Sequence, residues 1–179
     1  LETILSHVSV RRFRTEPLSD EHISLLHEAI RRAPTSSAMQ STMYVTITDR
    51  ELLQAVRPHV GGQQFIAQCG AFIVGCMDLR HLDRVTSERN YPNRSSDFRL
   101  LITSLEDVSI SIQNAALAAE SLGLGTVMVG GTIDGATELV DLLNLPERVV
   151  PLLGLAVGWS DQEPMPLKPR VPRPVQFHR

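Results

Sequence analysis

Several short segments carry groups that could bind an anionic ligand. The first lies near the N-terminus, where an imidazole, a hydroxyl and a guanidinium occupy alternate positions at His7, Ser9 and Arg11. Alternate side chains of an extended backbone share one face, so these three groups could converge on one anion. A solvated basic loop is the competing interpretation, and this segment alone does not decide between the two.

A second candidate lies near the C-terminus, where Lys168 and Arg170 flank Pro169. Proline restricts the backbone, so the two cations are held in a preset arrangement that suits a phosphate better than a flexible basic tail does. By itself, however, the segment is equally well interpreted as a solvated basic terminus.

Three other segments offer hydroxyl or backbone donors. Pro34–Gln40 follows a predicted helix, and its hydroxyls suit either a ligand cradle or ordinary turn chemistry. These hydroxyls belong to Thr35, Ser36 and Ser37. Gly130-Gly131 follows a predicted strand, where two glycines either let a ligand approach the backbone or simply end the strand. Gly61-Gly62-Gln63 is open to the same two interpretations.

Composition excludes several classes of protein. The formal net charge of -3 argues against a general nucleic-acid binder, and no apolar run is long enough to cross a bilayer. Two cysteines, Cys69 and Cys76, form no disulfide framework, and no secretory signal is visible, so a reducing, cytoplasmic location is expected. His, Cys and acidic residues do not cluster at ligand spacing, so no metal site is expected.

Periodicity and capping residues predict the elements that position these segments. Helices are predicted over Asp20–Arg32, Asp49–Val56, Leu101–Leu122 and Asp134–Leu143, and strands over Thr42–Thr48, Ala71–Met77, Thr126–Val129 and Pro151–Trp159. Leu79–Asp97 is predicted to be a polar surface excursion or lid, and Gln162–Pro174 an extended tail. Helices and strands interleave without regular βαβ spacing, which predicts a single α+β domain with a mixed sheet over residues 1–179.

The order of the segments, more than any one of them, resembles the nitroreductase family. Along the chain come H-x-S-x-R-x-F, a Ser/Thr-rich turn followed by Gln, G-G-Q, A-A-E-S-L-G-L-G, V-G-G, L-G-L-x-x-G-W and L-K-P-R. The resemblance extends from His7 to Arg170 and is most specific in the A-A-E-S-L-G-L-G and L-K-P-R motifs. Within the family, the sequence is similar to the NADPH-dependent, oxygen-insensitive nitroreductase and flavin reductase subgroup.

The resemblance implies an intertwined α+β homodimer with FMN bound at the subunit interface and the apolar helix Leu101–Leu122 in the dimer core. The residues it places around the phosphate, ribityl chain and pyrimidine edge of FMN are His7, Val8, Ser9, Arg11, Lys168 and Arg170. Gln63 would bind the polar edge of the ring, and the backbone of Val129, Gly130 and Gly131 would run beside flavin N5. Those that would reach the cofactor from the opposite subunit are Thr35, Ser36 and Ser37.

The implied activity is electron transfer from NADPH or NADH, through FMN, to a nitroaromatic, a quinone or free flavin in a ping-pong cycle. Hydride arriving at N5 leaves negative charge near N1, so Arg11 would stabilise the reduced flavin and no general acid is required from the protein. Two alternatives remain open. One is a specialised family member that removes halogen or cleaves flavin, and the other is a non-catalytic protein that binds or delivers flavin.

Two departures from the family pattern bear on these expectations. Val8 stands where relatives usually carry a basic residue, which implies one fewer phosphate contact. Relatives also continue beyond the L-K-P-R motif in an arm that embraces the partner subunit, whereas this sequence ends at Arg179. The choice between NADPH and NADH therefore stays open.

Overall fold

A four-stranded sheet in the order β1-β2-β4-β3 forms the centre of the fold, in a computed structural model that describes residues 1–91 and 95–178. The strands are β1 (Thr42–Ile47), β2 (Ala71–Asp78), β3 (Gly125–Val129) and β4 (Val149–Gly158). All pairs of neighbouring strands are antiparallel. Over the described residues, parallel pairing is limited to one bridge, between Ser9 and Thr126 beside β3. The α+β class is thus confirmed.

Helices surround the sheet, and three of them begin directly after a capping side chain. They are α1 (Glu2–Ser6), α2 (Asp20–Arg31), α3 (Arg50–Val56), α4 (Gln64–Gln68), α5 (Arg80–Glu88), α6 (Asp97–Ser121), α7 (Ala136–Leu142) and α8 (Arg173–Gln176). The side chains of Ser19, Asp49 and Ser96 accept hydrogen bonds from backbone N–H groups in the first turns of α2, α3 and α6. These bonds satisfy amides that would otherwise lack a partner at a helix start.

The core lies on both faces of the sheet, and the apolar run in β2 explains why. Phe72 and Val74 pack in one buried cluster, whereas Ile73 and Met77 pack in the other. Successive side chains of a strand point to opposite faces, so a strand buried on both sides must be apolar at every position. Helix α6 covers one face so closely that a Cβ added at Gly75 would lie 2.6 Å from Val108 Cγ1.

Three expectations from the sequence need correction. Leu79–Asp97, predicted to be a polar surface excursion or lid, contains α5, a helix without any buried residue, whose high polarity hides its helical structure. Part of this segment, positions 92–94, lies outside the described residues. The helix predicted from Asp134 begins at Ala136, because the turn after β3 continues to Gly135. The tail is not extended to Pro174, since α8 begins at Arg173, where proline is tolerated in a first turn.

The outer face of α6 keeps apolar side chains in contact with solvent. Phe98 is 74% exposed, and Ile102 and Ile110 are each at least 40% exposed. Spacings of four and eight residues place all three on one side of the helix. Among the helices in the described ranges, none has the length and apolar character needed to cross a membrane.

Candidate functional site

The N-terminal segment is held against the sheet by its backbone. Val10 donates its backbone N–H to the carbonyl of Thr126 at 2.8 Å, and Arg14 donates to the carbonyl of Trp159 at 2.9 Å. An antiparallel bridge joins Phe13 to Ser160 between these two bonds. The segment therefore runs from the start of β3 to the residues that follow β4, where the C-terminal tail begins.

This path brings the first and last motifs of the sequence together. His7, Val8 and Ser9 line a small cavity of about 30 Å³ with Lys168 and Arg170. Lys168 and Arg170 are exposed, and His7 is partly buried. Within residues 1–91 and 95–178, no carboxylate forms an ion pair with Lys168 or Arg170. Unpaired cations beside a hydroxyl and an imidazole form a suitable cradle for a phosphate.

Arg11 lies close in sequence to this cradle but does not line the cavity. Its backbone N–H donates to Gln162 Oε1 at 3.0 Å, and its side chain is exposed. Gln162 belongs to the same tail that carries the two cradle cations. The guanidinium of Arg11 has no acidic partner in the described part of the chain, which leaves it available to a ligand.

Glu120 is a site residue that the sequence analysis did not identify. One of its carboxylate oxygens, Oε1, lies 2.6 Å from His7 Nδ1 and accepts a hydrogen bond from Thr126 Oγ1 at 2.6 Å. The carboxylate side chain is only 13% exposed. Its position offered one signal, because an acidic residue in the last turn of a helix opposes the helix dipole and so suggests a specific partner.

The glycine turns at Gly61-Gly62 and Gly130-Gly131 also lie side by side. A Cβ added at Gly131 would lie 3.0 Å from the backbone carbonyl group of Val60, so glycine is needed for this close approach. Gly61 adopts a left-handed φ of 98°, which ends the preceding turn. Gln63, at the N-cap of α4, keeps an exposed side chain beside this pair of turns.

Gly130 differs from its neighbour in having open space around it. A Cβ built on Gly130 would meet no atom within 4 Å, and the residue is exposed. Val129, directly before it, is buried in the core at 3% exposure. At the end of β3, the backbone of Gly130 is therefore accessible, and Val129 before it is anchored in the core.

Strand β3 runs between this accessible backbone and the cationic cradle, which is formed by His7, Ser9, Lys168 and Arg170. Thr126, near the start of β3, pairs with Ser9, and Gly130 follows the end of the strand. The four residue steps between Thr126 and Gly130 correspond to roughly 13 Å of extended chain. The two groups of predicted site residues thus lie near opposite ends of β3.

The predicted hydroxyls lie in a different place, in a loop held by a buried carboxylate. Asp107, on α6, is 1% exposed and accepts hydrogen bonds from the backbone N–H and the Oγ of Ser36 at 2.9 and 3.0 Å. Ser37, Ala38 and Gln40 in this loop have φ near +50°, a strained region for residues with a side chain. The loop conformation therefore depends on its anchor at Asp107.

Thr35 lines a second cavity, of about 400 Å³, together with Gln40 and Tyr44. The structure thus brings the N- and C-terminal motifs together within one chain but leaves the Thr35–Ser37 loop at a separate cavity. The expectation that this loop reaches the cofactor of an opposite subunit concerns a second chain and stays a prediction.

Other reactive groups contribute little to either cavity. Burial raises the pKa of the thiols of Cys69 and Cys76 to about 12, and both side chains pack in the core. Asp134, Glu138 and Glu147 are exposed. Over the described ranges, no three His, Cys, Asp or Glu residues lie close enough together to hold a metal ion.

Comparisons with known proteins place this geometry in a family. The sequence matches the Nitroreductase family over residues 4–159. It is 37% identical to the oxygen-insensitive NADPH nitroreductase of Salmonella typhimurium over 179 residues, which cover 99% of this chain and 72% of that protein. It is 35% identical to the NADPH-flavin oxidoreductase of Vibrio harveyi over 99% of this chain and 72% of that protein.

Solved structures agree in fold along nearly the whole chain. NfrA2 of B. megaterium superimposes with a TM-score of 0.94 at 32% identity and covers 99% of this chain and 72% of its own. The NADPH:FMN oxidoreductase of Vibrio harveyi, solved in complex with NAD+, gives a TM-score of 0.89 at 35% identity, with 99% and 75% coverage. With its sequence motifs, its α+β fold and these likenesses in agreement, the chain belongs to the nitroreductase family.

Proposed function

We propose that this protein is an FMN-dependent NAD(P)H oxidoreductase that reduces nitroaromatics, quinones or free flavins. The observation that carries the proposal is the placement of the cationic cradle near one end of β3 and of the open backbone of Gly130 at the other. FMN is itself elongated, with a phosphate at one end and a flat polar ring at the other. The names of the relatives, which include an NADPH-flavin oxidoreductase and FMN reductases, support the same cofactor and electron donor.

The described residues fit this cofactor in charge and shape. Lys168 and Arg170 would neutralise the phosphate. His7 and Ser9, which line the same cavity, would be further donors. Val8, which also lines the cradle, contributes no charge there. Gly130 and Gly131 would let the ring lie against backbone, because no side chain projects from either residue. The exposed amide of Gln63 would bind the polar edge of the ring.

When bound, the flavin supplies the redox chemistry, taking hydride from the nicotinamide and passing it to the acceptor in a ping-pong cycle. The chain itself would bind and orient the cofactor and stabilise charge near the ring. Arg11 has an exposed guanidinium without an acidic partner in the described ranges, so it is available to stabilise negative charge on the pyrimidine edge. No general acid is required from the protein in this scheme.

The functional unit would be a homodimer in which the entire chain forms one flavin-binding domain. The exposed apolar residues on α6, which include Phe98 and Ile102, would pack against the partner subunit. The Thr35–Ser37 loop would then reach the flavin site of that partner, which accounts for its distance from the cradle. A monomer by sedimentation at micromolar concentration would contradict this part of the proposal.

The two neighbouring glycines give a matched test of the ring position. Gly131→Ala should lower the free energy of unfolding by about 1–3 kcal/mol, because its Cβ would press on the backbone of Val60. Gly130→Ala has space for its methyl group and should fold normally, yet it should bind FMN more weakly than wild type. Denaturant unfolding and FMN titration of both variants check the two predictions. Unchanged FMN affinity in a folded Gly130→Ala variant would show that the flavin ring does not lie against Gly130.

Steady-state kinetics test the proposed activity. Initial rates measured against NADPH at several fixed concentrations of a quinone should give parallel double-reciprocal lines, because the two substrates react at one flavin in turn. The same assay with NADH, a nitroaromatic and free FMN defines donor and acceptor preference. Absence of bound flavin in the purified protein, together with failure to take up added FMN, would contradict the proposal.

A further inference from the structure

His7 is held by a partner that determines what its other ring nitrogen can do. Its Nδ1 lies 2.6 Å from Glu120 Oε1, so this nitrogen carries a hydrogen and donates a hydrogen bond to the carboxylate. Nε2 is then the nitrogen left for a ligand in the cradle. In a neutral ring Nε2 has only a lone pair, which repels a phosphate oxygen, whereas in the imidazolium it is a second donor.

We propose that Glu120 is a positioning residue for cofactor binding, which holds His7 in the orientation and charge state that donate to the phosphate. The inference rests on the proposed function and extends it from the groups that contact FMN to one that acts through His7. Glu120 would stabilise the imidazolium of His7, which would lie between the carboxylate and the phosphate. Carboxylates orient functional histidines in the same way, by accepting a hydrogen bond from one ring nitrogen.

Charged groups face His7 from three elements. Lys168 and Arg170, from the C-terminal tail, line the same cavity as His7. Opposite charge comes from Glu120 on α6, and Glu2 on α1 lines a neighbouring cavity with His7. Glu120 is the acidic group in direct contact, and its side chain is 13% exposed, so its effect is only partly screened by solvent.

Glu120 also connects His7 to the strand that holds the cradle. The same oxygen, Oε1, accepts the hydroxyl of Thr126, whose carbonyl in turn accepts the backbone N–H of Val10. The carboxylate thus has two donors, Nδ1 of His7 and the hydroxyl of Thr126. This arrangement provides a matched control, because Thr126→Val removes one donor from Glu120 and leaves both His7 and the backbone bonds in place.

The proposal predicts an effect of Glu120→Gln that depends on the phosphate and on pH. The variant keeps an oxygen acceptor but loses the charge that favours the imidazolium. At about pH 8, above the ordinary titration range of histidine, it should bind FMN roughly tenfold more weakly than wild type. At about pH 6, where histidine is protonated without help, the two proteins should bind FMN alike. Riboflavin, which lacks the phosphate, should bind equally to both at either pH.

Quenching of flavin fluorescence by the apoprotein measures all of these affinities without turnover. Thr126→Val should leave the ratio of FMN to riboflavin affinity unchanged. His7→Gln should reproduce the loss at about pH 8, and the double variant with Glu120→Gln should lose no more than either single variant. If Glu120→Gln does not fold, the pH dependence of the FMN to riboflavin ratio in wild type, and its absence in His7→Gln, test the same assignment.

The outcomes separate this inference from the proposed function. Wild-type protein that binds FMN while Glu120→Gln shows no loss at about pH 8, or loses FMN and riboflavin equally, overturns the role of Glu120 and leaves the proposed function intact. Wild-type protein that binds neither flavin overturns both. A loss confined to FMN and to the higher pH, and absent in Thr126→Val, supports the inference.

Discussion

Replacing both Lys168 and Arg170 by alanine should weaken FMN binding by about 3 kcal/mol, on the order expected for two charge-assisted contacts to one phosphate. Both side chains line the cavity that also contains His7 and Ser9, and both lack an acidic partner within the described ranges. Within the described ranges, no side-chain hydrogen bond or ion pair joins either cation to another residue. The unfolding free energy of the apoprotein should therefore hardly change. Equilibrium titration of apoprotein with FMN measures the loss.

A double variant with the same change of charge provides the control. Arg89, at the end of α5, and Arg99, in the first turn of α6, are also exposed and do not line the cradle, so Arg89→Ala with Arg99→Ala should bind FMN as wild type does. An equal loss of affinity in both double variants would mean that overall charge, rather than a built cradle, attracts the cofactor. Full FMN retention by the variant with both Lys168→Ala and Arg170→Ala would show that these two residues do not bind the phosphate.

Asp107→Ala should lower the free energy of unfolding by about 2–3 kcal/mol, because it leaves buried donors without an acceptor. The backbone N–H and the hydroxyl of Ser36 both donate to this carboxylate, which is 1% exposed. The left-handed residues that follow, Ser37 and Ala38, would lose the anchor that offsets their backbone strain. Urea denaturation followed by circular dichroism measures the change.

Companion variants separate loss of the anchor from loss of any buried side chain. Asp107→Asn keeps one oxygen acceptor and should be less destabilised than Asp107→Ala. Ser36→Ala removes the hydroxyl alone, and its effect should be smaller when Asp107 is already alanine. If Asp107→Ala unfolds at the same urea concentration as wild type, the carboxylate does not anchor the loop.

Much of the fold could be predicted because its signals are local. Ser19 and Asp49 mark helix starts within three residues of the amides they cap, and the uniform apolar character of β2 indicates burial on both faces. Helix α5 was missed because it carries only two large apolar residues, Leu82 and Val85, and its polar composition favoured an interpretation as a surface segment. Short helices such as α1 carry too few residues to show a period.

The site was only partly predictable because its contacts are distant in sequence. The groups proposed to contact FMN were identified through their chemistry and their order along the chain. The groups that support them were not, since His7 and Glu120 are 113 positions apart, and Ser36 and Asp107 are 71 positions apart. An acidic residue in a helix does not reveal such a partner until the chain is folded.

Anaerobic addition of NADPH to the FMN-reconstituted protein tests the central claim most directly. We expect the long-wavelength absorbance of the oxidised flavin to disappear and then to return when a quinone or a nitroaromatic is added. NADH, added to a second sample, shows whether the donor site distinguishes the two nicotinamides. Flavin that stays bound and oxidised with both donors would contradict the account and would instead identify a protein that binds or delivers flavin.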